Sequence, residues 1–152
     1  MKKVTIILAT AALLAAGAAT AAGGGYKGKT RDGSTITFRL AGKTISGVNT
    51  AVPTICLETT GSYQRRSGIE IYQPPGALRV GATVKTKALQ PAAMNRGIKA
   101  TKNYTFTSAA APGGKIRGTL KLSFSFLALG PDPYHSYIYT CTGATTFEAS
   151  PS

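Results

Sequence analysis

The sequence predicts an all-β fold: one antiparallel β-sandwich or flattened barrel of about eight or nine strands. Three observations carry this. Apolar and polar residues alternate with period two in several runs, and turn residues separate those runs at short intervals. The single helix-tolerant stretch, Ala88 to Lys102, is interrupted by Pro91 and Gly97, so one short helical turn is the most expected there.

The elements follow in order. A first strand is expected over 26–30, and Arg31-Asp32-Gly33-Ser34 turns it into a second over 34–40, because Asp-Gly tolerates the positive φ of tight hairpins. There Ile36, Phe38 and Leu40 face one way, and Thr35, Thr37 and Arg39 the other. Ala41-Gly42-Lys43 leads into a strand near 43–48, and further strands are expected near 53–59, 68–73 and 79–88. Tyr104 and Phe106 alternate with Asn103, Thr105 and Thr107. Ala111-Pro112-Gly113-Gly114 then closes a hairpin onto 116–127, where Leu120, Leu122, Phe124 and Phe126 alternate with Thr119, Lys121, Ser123 and Ser125. The last strands are expected over 136–142 and 144–149. Thr, Val, Ile, Tyr and Phe fill these runs, as pleated half-buried surfaces favour.

A different segment precedes the sheet. Met1-Lys2-Lys3 is followed by an uncharged run from Val4 to Gly25, apolar in the middle and rich in small residues at its end. That is the layout of a cleavable secretory signal. Residues 1–22 are therefore read as signal peptide, cut after Ala21 or Ala22, and 23–152 as a single domain. The competing reading is a membrane anchor, which the Ala, Gly and Thr of the second half disfavour by lowering its hydrophobicity. No second apolar span follows, so the mature chain is expected outside the cytoplasm with no transmembrane segment.

Export bears on the rest of the composition. Cys56 and Cys141 are the two cysteines, and in an exported chain an even count reads as a disulfide rather than two free thiols. With the sole histidine, His135, they do not complete a tetrahedral metal shell, so no metal or cofactor is expected. Lysine and arginine number 18 against 5 acids, and removing Lys2 and Lys3 leaves a mature charge of +11. Such an excess draws anionic partners by long-range attraction. Nucleic acid is the generic partner of that charge, but an exported protein meets wall polymers, acidic glycans and membrane surfaces first.

Several motifs invite specific chemistry. Gly23 to Thr30 formally fits the GxxxxGK[ST] phosphate loop, but no strand precedes it after cleavage and a hairpin, not a helix, follows. Any histidine-dependent triad must use His135, with Asp132 and Ser136 crowded into the same loop, and no Gly-x-Ser-x-Gly elbow is present. Glu58, Glu70 and Glu148 fall on strands, where pairing with the many cations accounts for them, and Asp32 is accounted for by its turn. No catalytic residue is assigned. Tyr63, Tyr72 and Tyr134 fall in or beside loops, but without any Trp they argue weakly for sugar stacking.

The basic residues are the remaining candidates. Arg65 and Arg66 are expected in a loop over 61–68, and Arg96, Lys99 and Lys102 in a loop over 95–103. Lys85 and Lys87 alternate outward on one strand, as Lys27 and Lys29 do on the first. Convergence of the two loops would make an anion site; the alternative is that edge lysines simply prevent sheet-to-sheet aggregation.

The Tyr26-x-Gly28-x-Thr30 opening, the Thr-Ile-Thr-Phe second strand and a Cys56 following Val52-Pro53-Thr54 recur together with two later features. These are Gly-Thr-Leu-Lys-Leu-Ser-Phe over 118–124 and Cys141-Thr142-Gly143 before the last strand. In these residues the chain resembles small exported, disulfide-bonded β-sandwich proteins of actinobacteria and related bacteria, a group to which no activity is assigned. The resemblance implies the fold and the disulfide and adds no catalytic residue. The function expected is a secreted, non-catalytic binding or surface-interaction domain for an anionic polymer or surface. The alternatives are a small secreted hydrolase using His135 or Glu58 with Glu70, and an inhibitor or antagonistic factor acting on another protein.

Overall fold

Alternation of the kind described above commits each run to one buried face, and the computed structural model, which describes residues 23–61, 63–93, 98–129 and 136–152, shows the resulting sheet. Its strands are β1 (Gly24–Thr30), β2 (Thr35–Ala41), β3 (Thr44–Glu58), β4 (Arg65–Tyr72), β5 (Leu78–Arg79), β6 (Thr83–Pro91), β7 (Lys99–Ala111), β8 (Lys115–Leu129) and β9 (Ser136–Pro151). All pair antiparallel in one continuous sheet, ordered β4-β3-β2-β1-β9-β8-β7-β6, with β5 on β3. The expected all-β antiparallel architecture and its Cys56–Cys141 disulfide are both present.

β3 is the unusual strand. Its first part, through Asn49, lies on β2, and its later part, from Thr54, lies directly on β9. The β1–β2 hairpin is thus a wedge between β3 and β9 at one end of the sheet. The segments expected as separate strands near 43–48 and 53–59 are this one strand, and 136–142 and 144–149 are likewise one strand, β9. Pro53 does not break β3, because it sits where the partner changes, between the end of the β2 pairing and the start of the β9 pairing. The helix-tolerant stretch is largely strand: β6 continues to Pro91 and β7 begins at Lys99.

β4, at one end of the strand order, comes against β6 and β7 at the other through side chains. The Tyr72 hydroxyl donates to the Thr105 carbonyl at 2.9 Å, Gln90 Nε2 donates to the Gln73 carbonyl at 3.3 Å, and Lys102 Nζ meets Glu70 Oε2 at 2.7 Å. The sheet therefore wraps its inner face around one core as a flattened barrel. Phe38, Phe106 and Phe147 pack there with ring centroids 5.6–6.1 Å apart, and Phe126 stacks on Tyr139 at 5.4 Å. Cys56 and Cys141 are directly opposite on β3 and β9 and fully buried, so the bond ties the two strands where they touch without the hairpin between them.

Candidate anion-binding surface

With the inner positions committed to the core, the alternate residues of β6 to β9 must face out, and register sets them in rows. Thr83, Thr107, Thr119 and Thr146 lie side by side across β6, β7, β8 and β9, with the first two hydroxyls 3.0 Å apart. The next row is Lys85, Thr105, Lys121 and Ala144, and the next Lys87, Asn103, Ser123 and Thr142. Cations and hydrogen-bonding groups are therefore interleaved on one outer face, cations supplying charge and hydroxyls supplying donors.

This face is hollowed. One hollow of about 630 Å³ lies between Asn103 and Lys121 on one side and Pro53 and Ile55 on the other, with Gly143 in its lining. A second, of about 610 Å³, lies among Lys29, Thr107, Arg117 and Thr119, with Gly118 in its lining. Arg31, in the β1–β2 turn, borders both. Two smaller depressions continue the relief over Lys85 and Lys87.

The glycines explain the shape. Gly118 and Gly143 occupy inward positions where a side chain would collide with the neighbouring strands. A Cβ on Gly118 would come within 2.1 Å of the Thr107 carbonyl oxygen and 2.6 Å of the Phe147 ring, and one on Gly143 within 2.6 Å of the Pro53 carbonyl oxygen. Without those atoms β8 fits closely between β7 and β9 at Gly118, and β9 fits closely against β3 at Gly143, and each close approach lies in the lining of one hollow.

The acids of this region are already engaged. Glu148 takes Lys115 Nζ at 2.6 Å and Arg117 Nε at 2.5 Å, and these hydrogen bonds hold its carboxyl below the usual carboxylate range. Asp32 accepts from the Thr145 hydroxyl, pinning the hairpin turn to β9. Lys29 Nζ donates to the Gly33 carbonyl at 3.2 Å and to Thr35 Oγ1 at 3.0 Å. Among the described residues, Arg31, Lys85, Lys87 and Lys121 have no carboxylate partner.

The residues singled out in the sequence separate into three groups. Lys85 and Lys87 are outward on β6, as expected. Arg65 and Arg66 are not in a loop but begin β4, where the Arg66 guanidinium lies 5.2 Å from the Tyr139 ring centre. Lys99 and Lys102 are likewise on β7 rather than in a loop, and Lys102 is not a surface cation. It is 2% exposed, paired with Glu70, and its ammonium lies 5.5 Å from the Phe124 ring centre. Alternation decides this, since Ala100, Lys102 and Tyr104 share the inner side of β7. Arg96, His135 and Asp132 lie outside the described residues. Sequence reading missed Arg31, hidden in a turn motif, and Lys121, visible only as the polar partner of Leu120 and Leu122.

The carboxylates proposed for hydrolysis are also placed. Glu58 and Glu70 are both fully buried: Glu58 Oε1 accepts from the Thr60 amide at 2.7 Å, and Glu70 Oε1 from the Ala93 amide at 2.9 Å. Both carboxylates are thus held by backbone amides inside the fold rather than on its surface. Burial pushes the neighbouring Tyr104 hydroxyl up to about 12, with the Glu70 charge adding to it; the hydroxyl donates to Gln90 at 2.5 Å. Among the described residues no group of three or more His, Cys, Asp or Glu is arranged to hold a metal, and no helix is long and apolar enough to cross a membrane. The chain matches no protein-family model and no curated protein sequence.

Proposed function

We propose that this protein is a non-catalytic binding module, exported through its N-terminal signal, whose outer β6–β9 face holds an extended anionic polymer. One observation carries the reading. The two large hollows share Arg31 and continue into the Lys85–Lys87 relief, so a run of cations and hydroxyls follows a concave path longer than any single small ligand needs. Carboxylate, sulfate or phosphate groups along a polymer would meet Lys85, Lys87, Lys121 and Arg31 in turn, while Thr and Asn donors meet its oxygens. The disulfide is the kind an oxidising compartment sustains.

Retention on a heparin column tests this directly. The wild type is expected to elute at elevated salt, and Lys85→Gln/Lys87→Gln/Lys121→Gln to elute much earlier with an unchanged melting temperature. The dependence of log affinity on log salt falls by about one for each cation that contacts the polymer. Retention indifferent to salt and to the triple substitution would overturn the proposal.

A further inference from the structure

The outward positions of β3 and β4 depart from the polar rows described across the middle of β6 to β9. Ile55, Leu57, Ile69 and Ile71 all face out, and with Ile138 at the start of β9 they are between 42% and 65% exposed. Register gathers them. Ile69 lies opposite Pro53 and Ile71 opposite Ala51, while Leu57 lies opposite Thr140, two residues from Ile138. A contiguous aliphatic band on an exterior this polar marks an interaction surface.

Its surroundings say what it meets. Arg65 is opposite Leu57 on the same face, whereas Arg66, opposite Cys56, turns to the other side over the Tyr139 ring. Arg31 and Lys121 share with Pro53 and Ile55 the hollow described above. The acids of β3 and β4, Glu58 and Glu70, are both turned into the core. The band therefore has a cationic margin, and its own two strands expose no carboxylate there. The described chain begins elsewhere. β1 pairs with the far end of β9, Tyr26 opposite Pro151, which is roughly 40 Å of strand from Ile138. A second copy seated here through a two-fold axis would press one strongly cationic chain against another. An anionic bilayer presents the complementary charge and an apolar interior together.

We infer that the β3–β4 face docks on anionic lipid surfaces, its aliphatic side chains entering the headgroup boundary while Arg65, at its margin, meets lipid phosphates. This surface goes beyond the polymer-binding face and adjoins it at the hollow lined by Arg31, Lys121 and Ile55, while Leu57, Ile69 and Ile71 lie outside that hollow.

Co-sedimentation with vesicles of phosphatidylcholine alone, or mixed with phosphatidylglycerol, tests the inference. The comparison is wild type against Leu57→Thr/Ile69→Thr/Ile71→Thr, whose threonines keep strand propensity at exposed positions, with the melting temperature as the check on folding. The wild type is expected to sediment with the mixed vesicles far more than with neutral ones. The variant should lose about tenfold or more in partitioning, with heparin retention unchanged. Wild type that ignores both vesicles overturns the inference, as does a variant that binds as well as wild type. A dimer that the substitutions dissolve, with no vesicle binding, would assign the band to a second copy and overturn it too. Wild type that ignores heparin but binds the mixed vesicles, with that binding lost in the variant, would count against the polymer reading alone.

Discussion

Substituting Lys102 with Met removes the cation from a buried pair and leaves the Glu70 carboxylate in the core with the Ala93 amide as its remaining partner shown here. Glu70 is 0% exposed and Lys102 2%, so neither charge is compensated by water. Breaking a buried pair from one side costs about 3–5 kcal/mol, whereas replacing both partners with apolar residues of similar size is often neutral or stabilising. Lys102→Met is therefore expected to lose about 3–5 kcal/mol, and Lys102→Met/Glu70→Leu to recover most of it, less the anchor to Ala93. For a domain of this size that loss lowers the melting temperature by roughly 10–20 °C. Urea titration followed by circular dichroism, with the slope checked for constancy across variants, reads the difference. A loss below about 1 kcal/mol, or a double variant no more stable than the single, would refute the reasoning. Heparin retention of Lys102→Met under folding conditions should match wild type; reduced retention without reduced stability would restore Lys102 to the surface role its sequence context suggested.

Two further outcomes follow from the same geometry. Replacing Cys56 and Cys141 with alanine opens a loop with a sequence separation of 85 residues, and chain entropy puts the loss at about 4.5 kcal/mol, read as a drop in the denaturation midpoint that reducing agent reproduces in the wild type. The tyrosines give an alkaline limit. Burial raises both Tyr72 and Tyr104 above their usual value of 10.0, so their contribution to stability is fully present below about pH 10 and is lost as pH climbs toward the folded value, about 12 for Tyr104. Melting curves from pH 9 to 12 should show that decline, and it should be shallower in Tyr104→Phe.

Much of the fold was legible because period-two alternation is local. Ile36 and Phe38 on β2, and Leu120 to Phe126 on β8, announce their buried face within a few residues, and all are buried. What alternation does not report is which strand lies beside which. Nothing near Thr54 says that β3 exchanges β2 for β9 there, and the cysteines alone tie those distant segments together. The candidate surface suffers from the same limit. Lys102 reads as one more basic residue until the strand is known to reach back to Lys99, whereupon parity turns it inward. Lys121 and Arg31 gain meaning only when β7, β8, β9 and the first hairpin turn are adjacent. Charge was visible in the sequence; its convergence was a property of long-range pairing.

β9 pairs with β1, β3 and β8, all of which precede it in the chain. During synthesis the earlier strands can form hairpins, but β1, β3 and β8 cannot complete their places in the sheet until the residues from Ser136 onward arrive. Cys56, too, has no intramolecular partner before Cys141 appears. The architecture thus postpones closure and oxidation to the same late moment, when the last strand is in place.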